Sequence, residues 1–365
     1  MPHINLDKRP VSVKASAKGH IDGFCNLLSS IDPCKITKAE VPLKYLQYLL
    51  INKKYFVNIY ASVLDALLAC SAKNLSDISI IDCGAGNGLL GIFAKYCGCK
   101  RVYINDVDPT FIASAKRISA ELVIVIDDFI SGDILNSKER LASIQADAVI
   151  GTDVIEHIYS IDNLFSLFKE VNPNIISVFT TAANPYNYAK VKEITRIQLK
   201  DELEELGDNF FSGPHIIPPY LKIREDIIRE KYSFLPEEKV KTLASLTRGM
   251  TKEHILIAIE NYYSKNVFPQ PPYHLTNTCN PLDGNWTERL LSLKEYHTIY
   301  RDHGFLLSMK NGFYNEHQKG IKGKLIYILN RIIVYLPYFG KYFAPFICLI
   351  GTSVNNRKNK KLEIQ

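Results

Sequence analysis

Three closely spaced glycines follow a carboxylate in the string Asp82-Cys-Gly84-Ala-Gly86-Asn-Gly88. A turn without side chains lets the backbone approach a ligand closely, and glycine adopts positive φ angles at little cost. The spacing is GxGxG, because Leu89 stands where the third glycine of a dinucleotide-binding GxGxxG turn would fall. Since Asp82 would repel a pyrophosphate, the string favours a positively charged ligand.

Further acids stand where later strands are expected to end. Asp106 comes 22 residues after Gly84, the distance at which an acid accepts hydrogen bonds from ribose hydroxyls at the tip of the neighbouring strand. Asp133 follows a weaker strand pattern, and Asp153 follows a clear one. Together with Asp82 and the glycines, these acids predict a pocket for a positively charged nucleoside.

The elements that position these acids alternate between short β-branched runs and helical stretches. The pattern predicts strands at 78–82, 101–106, 129–131, 146–151, 175–181, 304–308 and 345–350, and helices at 88–96 and 109–122. Such alternation is typical of an α/β fold, a Rossmann-like three-layer α/β/α sandwich with a mostly parallel sheet. Right-handed crossovers bring the carboxyl ends of parallel strands to one edge, where ligands bind.

The organisation along the chain is predicted in five parts. Residues 1–72 form an N-terminal arm, irregular through residue 35, and a helical cap; residues 73–182 form the ligand-binding core. Residues 183–303 form a large insertion with helices at 190–206, 223–232, 237–246, 252–263 and 287–301. Residues 304–352 complete the core with an amphipathic helix, and 353–365 are a basic tail.

Four segments in order carry a family resemblance: Ile81-Asp-Cys-Gly-Ala-Gly-Asn-Gly88, Asn105-Asp-Val-Asp-Pro109, Gly132-Asp-Ile134 and Asp147-Ala-Val-Ile-Gly-Thr-Asp-Val-Ile-Glu-His157. They resemble the successive motifs of class I S-adenosylmethionine-dependent methyltransferases. The last string is most similar to the small-molecule branch that includes ubiquinone-biosynthesis O-methyltransferases. The resemblance covers about 78–181 and the strand at 304–305, and it implies an enzyme that uses S-adenosylmethionine.

The resemblance also implies roles for individual residues. Asp82 would face the methionine ammonium directly or through water, the glycines would line methionine and ribose, Asp106 would hold the ribose hydroxyls, and Asp133 with Ile134 would meet adenine. The cofactor-binding set is Asp82, Gly84, Ala85, Gly86, Gly88, Asp106, Val107, Asp133, Ile134 and Asp153. In the structural alternative, Asp82 or Asp133 caps a helix and the glycines form an ordinary turn. Asp108 is in either case expected to cap the next helix and not to contact a ligand.

His157 is the candidate base for removing the acceptor's proton, with Glu156 beside it. The alternative is a histidine hydrogen-bonded within the first turn of the next helix. Asp153, Glu156 and His157 lie at i, i+3 and i+4, one face of a helical turn, a spacing that could also hold a divalent metal. Our prediction nevertheless includes no metal.

The predicted activity is methyl transfer to a small-molecule or lipid-linked acceptor, with oxygen favoured over nitrogen or carbon. A catalytically silent binding or assembly protein of the same fold is the alternative. The acceptor pocket is expected to come from the 41–72 helices and the insertion. The candidate acceptor contacts are His215, Tyr220, His274, Trp286, Glu288 and Arg289.

The charge distribution bears on partners. The net charge is +6, and residues 319–361 contain nine basic residues and no acidic one. The rest of the chain is therefore slightly acidic. A nucleic-acid partner is not expected. The segment 321–361 has two interpretations, a helix packed on the sheet before a last strand, or a helix touching anionic lipid. Eight cysteines without a CxxC pair favour a cytoplasmic location, and the lipid-contact interpretation of 321–361 would make it membrane-peripheral.

Overall fold

A seven-stranded sheet forms the centre of the molecule. The computed structural model describes residues 16–205, 217–267, 274, 276–316 and 320–354. The strands are β1 (Ser79–Cys83), β2 (Arg101–Asp106), β3 (Asp128–Ser131), β4 (Ala148–Thr152), β5 (Ile176–Thr181), β6 (Phe305–Asn311) and β7 (Ile347–Ser353). Their order is β3-β2-β1-β4-β5-β7-β6; the first five are parallel, and β7 is antiparallel to both neighbours. The predicted fold class is confirmed.

Apolar residues fill both faces of the sheet, which is why its central strands read as continuous β-branched runs. All five residues of β1 are buried. Ile80 belongs to the core on one face and Ile81 to the core on the other, as the two-residue period of a strand requires. Asp82 follows in the alternation and therefore lies on the face of Ile80.

The helices of the core are α3 (Glu40–Ile51), α4 (Lys53–Cys70), α5 (Leu89–Tyr96), α6 (Pro109–Glu121), α7 (Lys138–Ile144) and α8 (Ile161–Val171). Asp108 accepts a hydrogen bond from Thr110 N at 2.7 Å and caps α6, and Pro109 occupies the first helical position. This confirms the expected capping role of Asp108.

The N-terminal segment departs from its prediction. Residues described as an irregular arm instead form α1 (Ile21–Leu28) and α2 (Pro33–Ile36). Phe24 is fully buried and its ring lies 5.1 Å from that of Phe93 in α5. The burial of Ile21, Phe24, Cys25 and Leu28 at helical spacing explains why this segment folds onto the core instead of remaining loose.

The crossovers bring the strand ends together at one edge. From β1 the chain proceeds to β2 and β3 on one side and then returns to β4 on the other side of β1. The crevice between β1 and β4 is therefore the topological switch point, where ligands bind in open α/β sheets. The glycine string leaves β1 at this crevice, and Asp153 follows β4 beside it.

After β5 the chain forms the insertion, with helices α9 (Tyr188–Leu203), α10 (Tyr220–Lys231), α11 (Glu237–Leu246), α12 (Lys252–Lys265) and α13 (Leu293–Asp302). Helices α10 to α12 have their own apolar core. Arg224 and Glu202 form an ion pair that is almost fully buried, and Glu202 also accepts a hydrogen bond from Thr278 at 2.7 Å. The last helix begins six residues later than predicted, because Ser292 caps it.

Replacing Ser292 by alanine is expected to lower the free energy of unfolding by about 1 kcal/mol. Ser292 Oγ accepts a hydrogen bond from Glu295 N, and the Glu295 carboxylate accepts one from Ser292 N at 2.7 Å. The substitution removes the first of these two capping bonds. Urea unfolding of the variant beside Ser308→Ala, a serine on β6 without a capping role, measures the effect. Equal midpoints for both variants would contradict it.

The C-terminal part comprises β6, α14 (Gly320–Tyr335), α15 (Pro337–Gly340) and β7. The predicted last strand is present as β7. The helix before it packs less than expected, since only Ile326, Asn330 and Ile333 of α14 are buried, while Ile321, Leu325 and Ile328 are exposed. Every helix in the described part of the chain is too short or too polar to cross a membrane.

Candidate functional site

The glycine string forms the turn between β1 and α5. Gly84, Gly86 and Gly88 have φ angles of 62°, 54° and 73°, so each lies in the left-handed region that favours glycine. A Cβ on Gly84 would lie 2.1 Å from Cγ2 of Val154, the residue after Asp153. The turn therefore needs glycine both for its conformation and for the close approach of the loop that follows β4.

Asp106 holds this turn from the neighbouring strand. Its Oδ2 accepts a hydrogen bond from Gly86 N at 2.7 Å, and its Oδ1 accepts one from Asp108 N at 3.0 Å. Burial raises the pKa of Asp106, and these two backbone donors oppose the rise. Each carboxylate oxygen keeps a further lone pair. The sequence predicted a ligand contact for Asp106 and missed its role in organising the turn.

Asp82 lies below the turn. The side chain is 1 % exposed, and Oδ2 accepts a hydrogen bond from Gly91 N at 2.7 Å in the first turn of α5. Burial raises the pKa of Asp82 to about 8, against the lowering effect of Gly91 N. The expected interaction with an ammonium stays a prediction, but burial favours the route through water over direct contact.

The raised pKa of Asp82 predicts a pH dependence of stability. Because the folded carboxyl keeps its proton to about pH 8 and the unfolded one loses it near 4, stability falls as pH rises through that interval. Between pH 6.5 and 7.5 the wild type should lose about 1 kcal/mol relative to Asp82→Asn, which keeps the acceptor for Gly91 N. Urea unfolding at both pH values measures the free energy of unfolding of the two proteins. The same change with pH in the wild type and in Asp82→Asn would contradict the prediction.

The other predicted cofactor residues lie at the same edge. Ala85 N donates to Asn105 O at 2.9 Å, Val107 is 70 % exposed, and Ile134 is buried. Asp133 caps the short 3₁₀ helix Ile134–Asn136 by accepting a hydrogen bond from Leu135 N at 2.9 Å. This cap matches the structural alternative for Asp133, and its exposed side chain leaves the adenine contact as a prediction.

Helix α3 supplies contacts to the site that lie outside the sequence motifs. The Tyr45 ring covers the glycine turn, because a Cβ on Gly86 would lie 3.1 Å from its Cε1. Asn87 Nδ2 donates to Pro42 O at 3.2 Å, which ties the turn to the same helix. Nothing in the sequence predicts a site role for this tyrosine, because it lies in a helical run of apolar residues outside the motifs.

The string after β4 brings together the other candidates. Asp153 is exposed with a φ of 50°, a conformation that non-glycine residues rarely adopt. Glu156 is 1 % exposed, and its Oε1 accepts a hydrogen bond from Ala182 N at 3.2 Å. Burial raises the pKa of Glu156, and the charges of Asp153 and Glu288 raise it further.

The His157 side chain is held by the insertion, whereas its backbone N donates to Val154 O of its own turn at 3.0 Å. Its Nδ1 lies 2.8 Å from Trp286 O, and its Nε2 lies 3.8 Å from Glu288 Oε1. Backbone bonds from Trp286 N to His157 O and from Arg289 N to Glu156 O, both 3.1 Å, pair the two segments. The helical face predicted for Asp153, Glu156 and His157 does not form, because this segment is a turn.

Three predicted acceptor contacts therefore lie beside His157. Trp286 stacks on Tyr159 at 6.0 Å, and the Arg289 guanidinium lies 4.5 Å from the Trp286 ring. Glu288 is the third member of the group. It lies more than 120 residues from His157 in the sequence, so the contact between them could not be predicted from sequence spacing. Tyr220 belongs to the apolar core of the insertion, and His274 bonds Thr276 Oγ1 at 2.9 Å. His215 lies outside the described residues.

Comparison with known proteins gives matches over the core. Residues 37–186 match a family model described as lysine methyltransferase. Ribosomal protein L11 methyltransferase of Acinetobacter baumannii (strain AYE) is 32 % identical over 91 residues, which are 25 % of this chain and 30 % of that protein. The same enzyme of Enterococcus faecalis is 29 % identical over 105 residues, 27 % and 31 % of the two chains. The chain thus matches under a third of these relatives' length.

Among solved structures, magnesium protoporphyrin IX methyltransferase from Synechocystis PCC 6803 aligns over 93 % of this chain and 95 % of its own, at 11 % identity and a TM-score of 0.38. That likeness is too weak to bear on function.

The matches correct the predicted partners. The family description names lysine, and the relatives' names give a ribosomal protein as what those enzymes methylate. The expected small-molecule or lipid-linked acceptor, with membrane contact through 321–361, is therefore wrong. The Asp-Val-Ile-Glu-His string belongs to the shared core and does not specify the acceptor, because acceptor contacts come from loops and insertions outside that core.

The resemblance of the core motifs agrees with both the sheet order and the family match over residues 37–186. The core of the chain, residues 37–186, is therefore similar to S-adenosylmethionine-dependent methyltransferases of class I, as the motifs predict.

Proposed function

We propose that the chain transfers a methyl group from S-adenosylmethionine to a lysine side chain of a protein. The observation that carries the proposal is the glycine turn at the β1–β4 crevice, held by the Asp106 carboxylate through Gly86 N. A side-chain-free turn and a buried carboxylate on adjacent strands form a cradle for a cationic nucleoside. The match of residues 37–186 to a lysine methyltransferase model supports an amino group as the acceptor.

The reaction would be an in-line displacement. The uncharged lysine nitrogen attacks the methyl carbon, the bond from carbon to sulfur breaks, and S-adenosylhomocysteine leaves with the electron pair. Because the donor carries its own activated methyl, the protein contributes mainly alignment of the two reactants. The amine must first lose a proton, and His157 as its acceptor stays a prediction.

In this proposal the predicted cofactor residues keep their roles with one refinement. The glycines with Ala85 line the donor, Asp106 accepts from its ribose, and Val107, Asp133 and Ile134 border its base. Asp82 acts through the backbone of α5 or through water because it is buried. Tyr45 of α3 would close the donor pocket over Gly86. The expected oxygen acceptor is replaced here by nitrogen.

The test uses methyl-labelled donor and a protein extract of cells in two forms, untreated and with its lysines acetylated. Label should enter protein in the untreated extract and not in the acetylated one, since acetylation removes the nucleophile. Label recovered in lipid or small metabolites would contradict the proposal. Donor binding without any labelled product would favour the silent alternative.

A further inference from the structure

We propose that Glu156, His157 and Glu288 form a binding site for one divalent transition-metal ion. One ligand atom from each residue lies within 4.8 Å of the other two. Ligand atoms around an ion bound at about 2.1 Å lie roughly 3 to 4 Å from one another, so side-chain shifts of about 1 Å close the shell. The inference is independent of the acceptor proposed above, but it replaces the predicted role of His157 as a base, because an Nε2 that binds an ion has no lone pair left for a proton.

The imidazole of His157 is prepared for this role. Trp286 O can only accept a hydrogen bond, so Nδ1, 2.8 Å away, carries a proton, and in the tautomer with this bond the ring lone pair lies on Nε2. A carbonyl that orients the far nitrogen is the usual support of a metal-bound histidine. Nε2 lies 3.8 Å from Glu288 Oε1, on the side where the carboxylates converge.

The carboxylates have unused oxygens. Among the described residues, Oε2 of Glu156 and Oε2 of Glu288 are buried without a hydrogen-bond partner. The Glu156 side chain is 1 % exposed, and a buried carboxylate oxygen without a partner is unfavourable because it has lost its water and gained nothing in return. A divalent cation would satisfy both oxygens and offset the repulsion between the two acids.

The backbone holds the ligands in place. Glu288 has a φ of 47°, a strained conformation for a non-glycine residue. The neighbouring bonds from Trp286 N to His157 O and from Arg289 N to Glu156 O keep the two segments paired. Gln198 Nε2 donates to Glu288 O at 2.9 Å, which anchors the same residue to α9. The ligands are therefore positioned before an ion arrives.

One nitrogen and two carboxylates indicate the kind of ion. Imidazole suits zinc, iron and other transition metals, whereas magnesium and calcium prefer oxygen ligands alone. We therefore expect Zn²⁺ or Mn²⁺ to bind more tightly than Mg²⁺. The ion would join the loop after β4 to the segment before α13, and so fix the insertion against the core.

The experiment titrates full-length protein, stripped of metal by chelation, with Zn²⁺, Mn²⁺ and Mg²⁺ by calorimetry, with metal content measured after gel filtration. One equivalent of Zn²⁺ or Mn²⁺ should bind and raise the thermal unfolding midpoint. Glu288→Gln should weaken binding at least about tenfold, as the loss of metal-site support typically does. His157→Ala should do the same, and a Co²⁺ visible spectrum should change in both.

The matched control is Glu253→Gln, which removes an exposed carboxylate of α12 outside the cluster and should bind the ion as the wild type does. Absence of binding, or equal binding in Glu288→Gln, would overturn the proposal. Methylammonium binding that Glu288→Gln abolishes, without metal binding, would also overturn it and assign the cluster to an amine. Binding of labelled donor, measured on the same samples, separates this outcome from failure of the proposed methyl transfer.

Discussion

The Asp106→Ala variant is expected to bind S-adenosylmethionine at least about 100-fold more weakly than the wild type. A hydrogen bond to a charged group contributes about 1.5–3 kcal/mol, and Asp106 is proposed to accept two from the ribose. The variant also leaves Gly86 N and Asp108 N without their acceptor, so the turn itself loses its support. Equilibrium dialysis with labelled donor measures the change directly.

Asp108→Ala is the matched control for this prediction. It removes an acid two residues away, at the same edge of the sheet, whose carboxylate caps α6 through Thr110 N. It should cost stability of about 1 kcal/mol and leave donor affinity nearly unchanged. Asp106→Asn keeps one acceptor oxygen and loses the charge. Its donor affinity should lie between those of Asp106→Ala and Asp108→Ala. Equal donor affinity in Asp106→Ala and Asp108→Ala would contradict a ribose contact by Asp106.

The central strands and the crevice could be predicted because their signals are local. Each strand of the parallel core is a β-branched run that is buried on both faces, so its sequence carries the signal without its neighbours. The glycines and Asp106 mark the turn in the same way, since positive φ and strand-end position follow from residue type and spacing. The order in which β6 and β7 join the sheet has no comparable local signal.

Helix α1 was missed for a different reason. Its buried residues have helical spacing, but Gly23 and Asp22 made the segment read as polar and irregular. In the folded chain Gly23 leaves room for Tyr96, because a Cβ there would lie 2.5 Å from the tyrosine hydroxyl and the ring would have to shift. A glycine that costs helix propensity can thus be a contact residue, which only the tertiary structure reveals.

The cluster around His157 could be predicted only in part. The sequence placed Glu156 and His157 near the donor, and it named Trp286, Glu288 and Arg289 separately as candidate contacts. The pairing of these two segments depends on how the insertion folds back after α12, and neither segment has a pattern that specifies the other. For side chains that meet through an insertion, the sequence can therefore indicate which residues are candidates, but it cannot predict which of them contact one another.

The Gly84→Ala variant is expected to lose donor binding by at least about 100-fold, because one methyl group cannot be accommodated there. The added Cβ would lie 2.1 Å from Cγ2 of Val154 and 3.0 Å from its Cβ, well inside contact distance. The left-handed φ of 62° adds about 1–2 kcal/mol of backbone strain. Either the turn or the loop after β4 must move, and both border the proposed donor pocket.

Two further variants separate the clash from the strain. Gly98→Ala has a φ of 92° and open space around the added Cβ, so it should lose stability by about 1–2 kcal/mol and keep donor affinity. Gly84→Ala with Val154→Ala removes the nearest methyl groups and should recover much of the binding, with the strain as the remaining cost. Circular dichroism confirms folding in each case. Wild-type donor affinity in Gly84→Ala alone would mean that this turn does not contact the nucleoside, and the donor site would have to lie elsewhere.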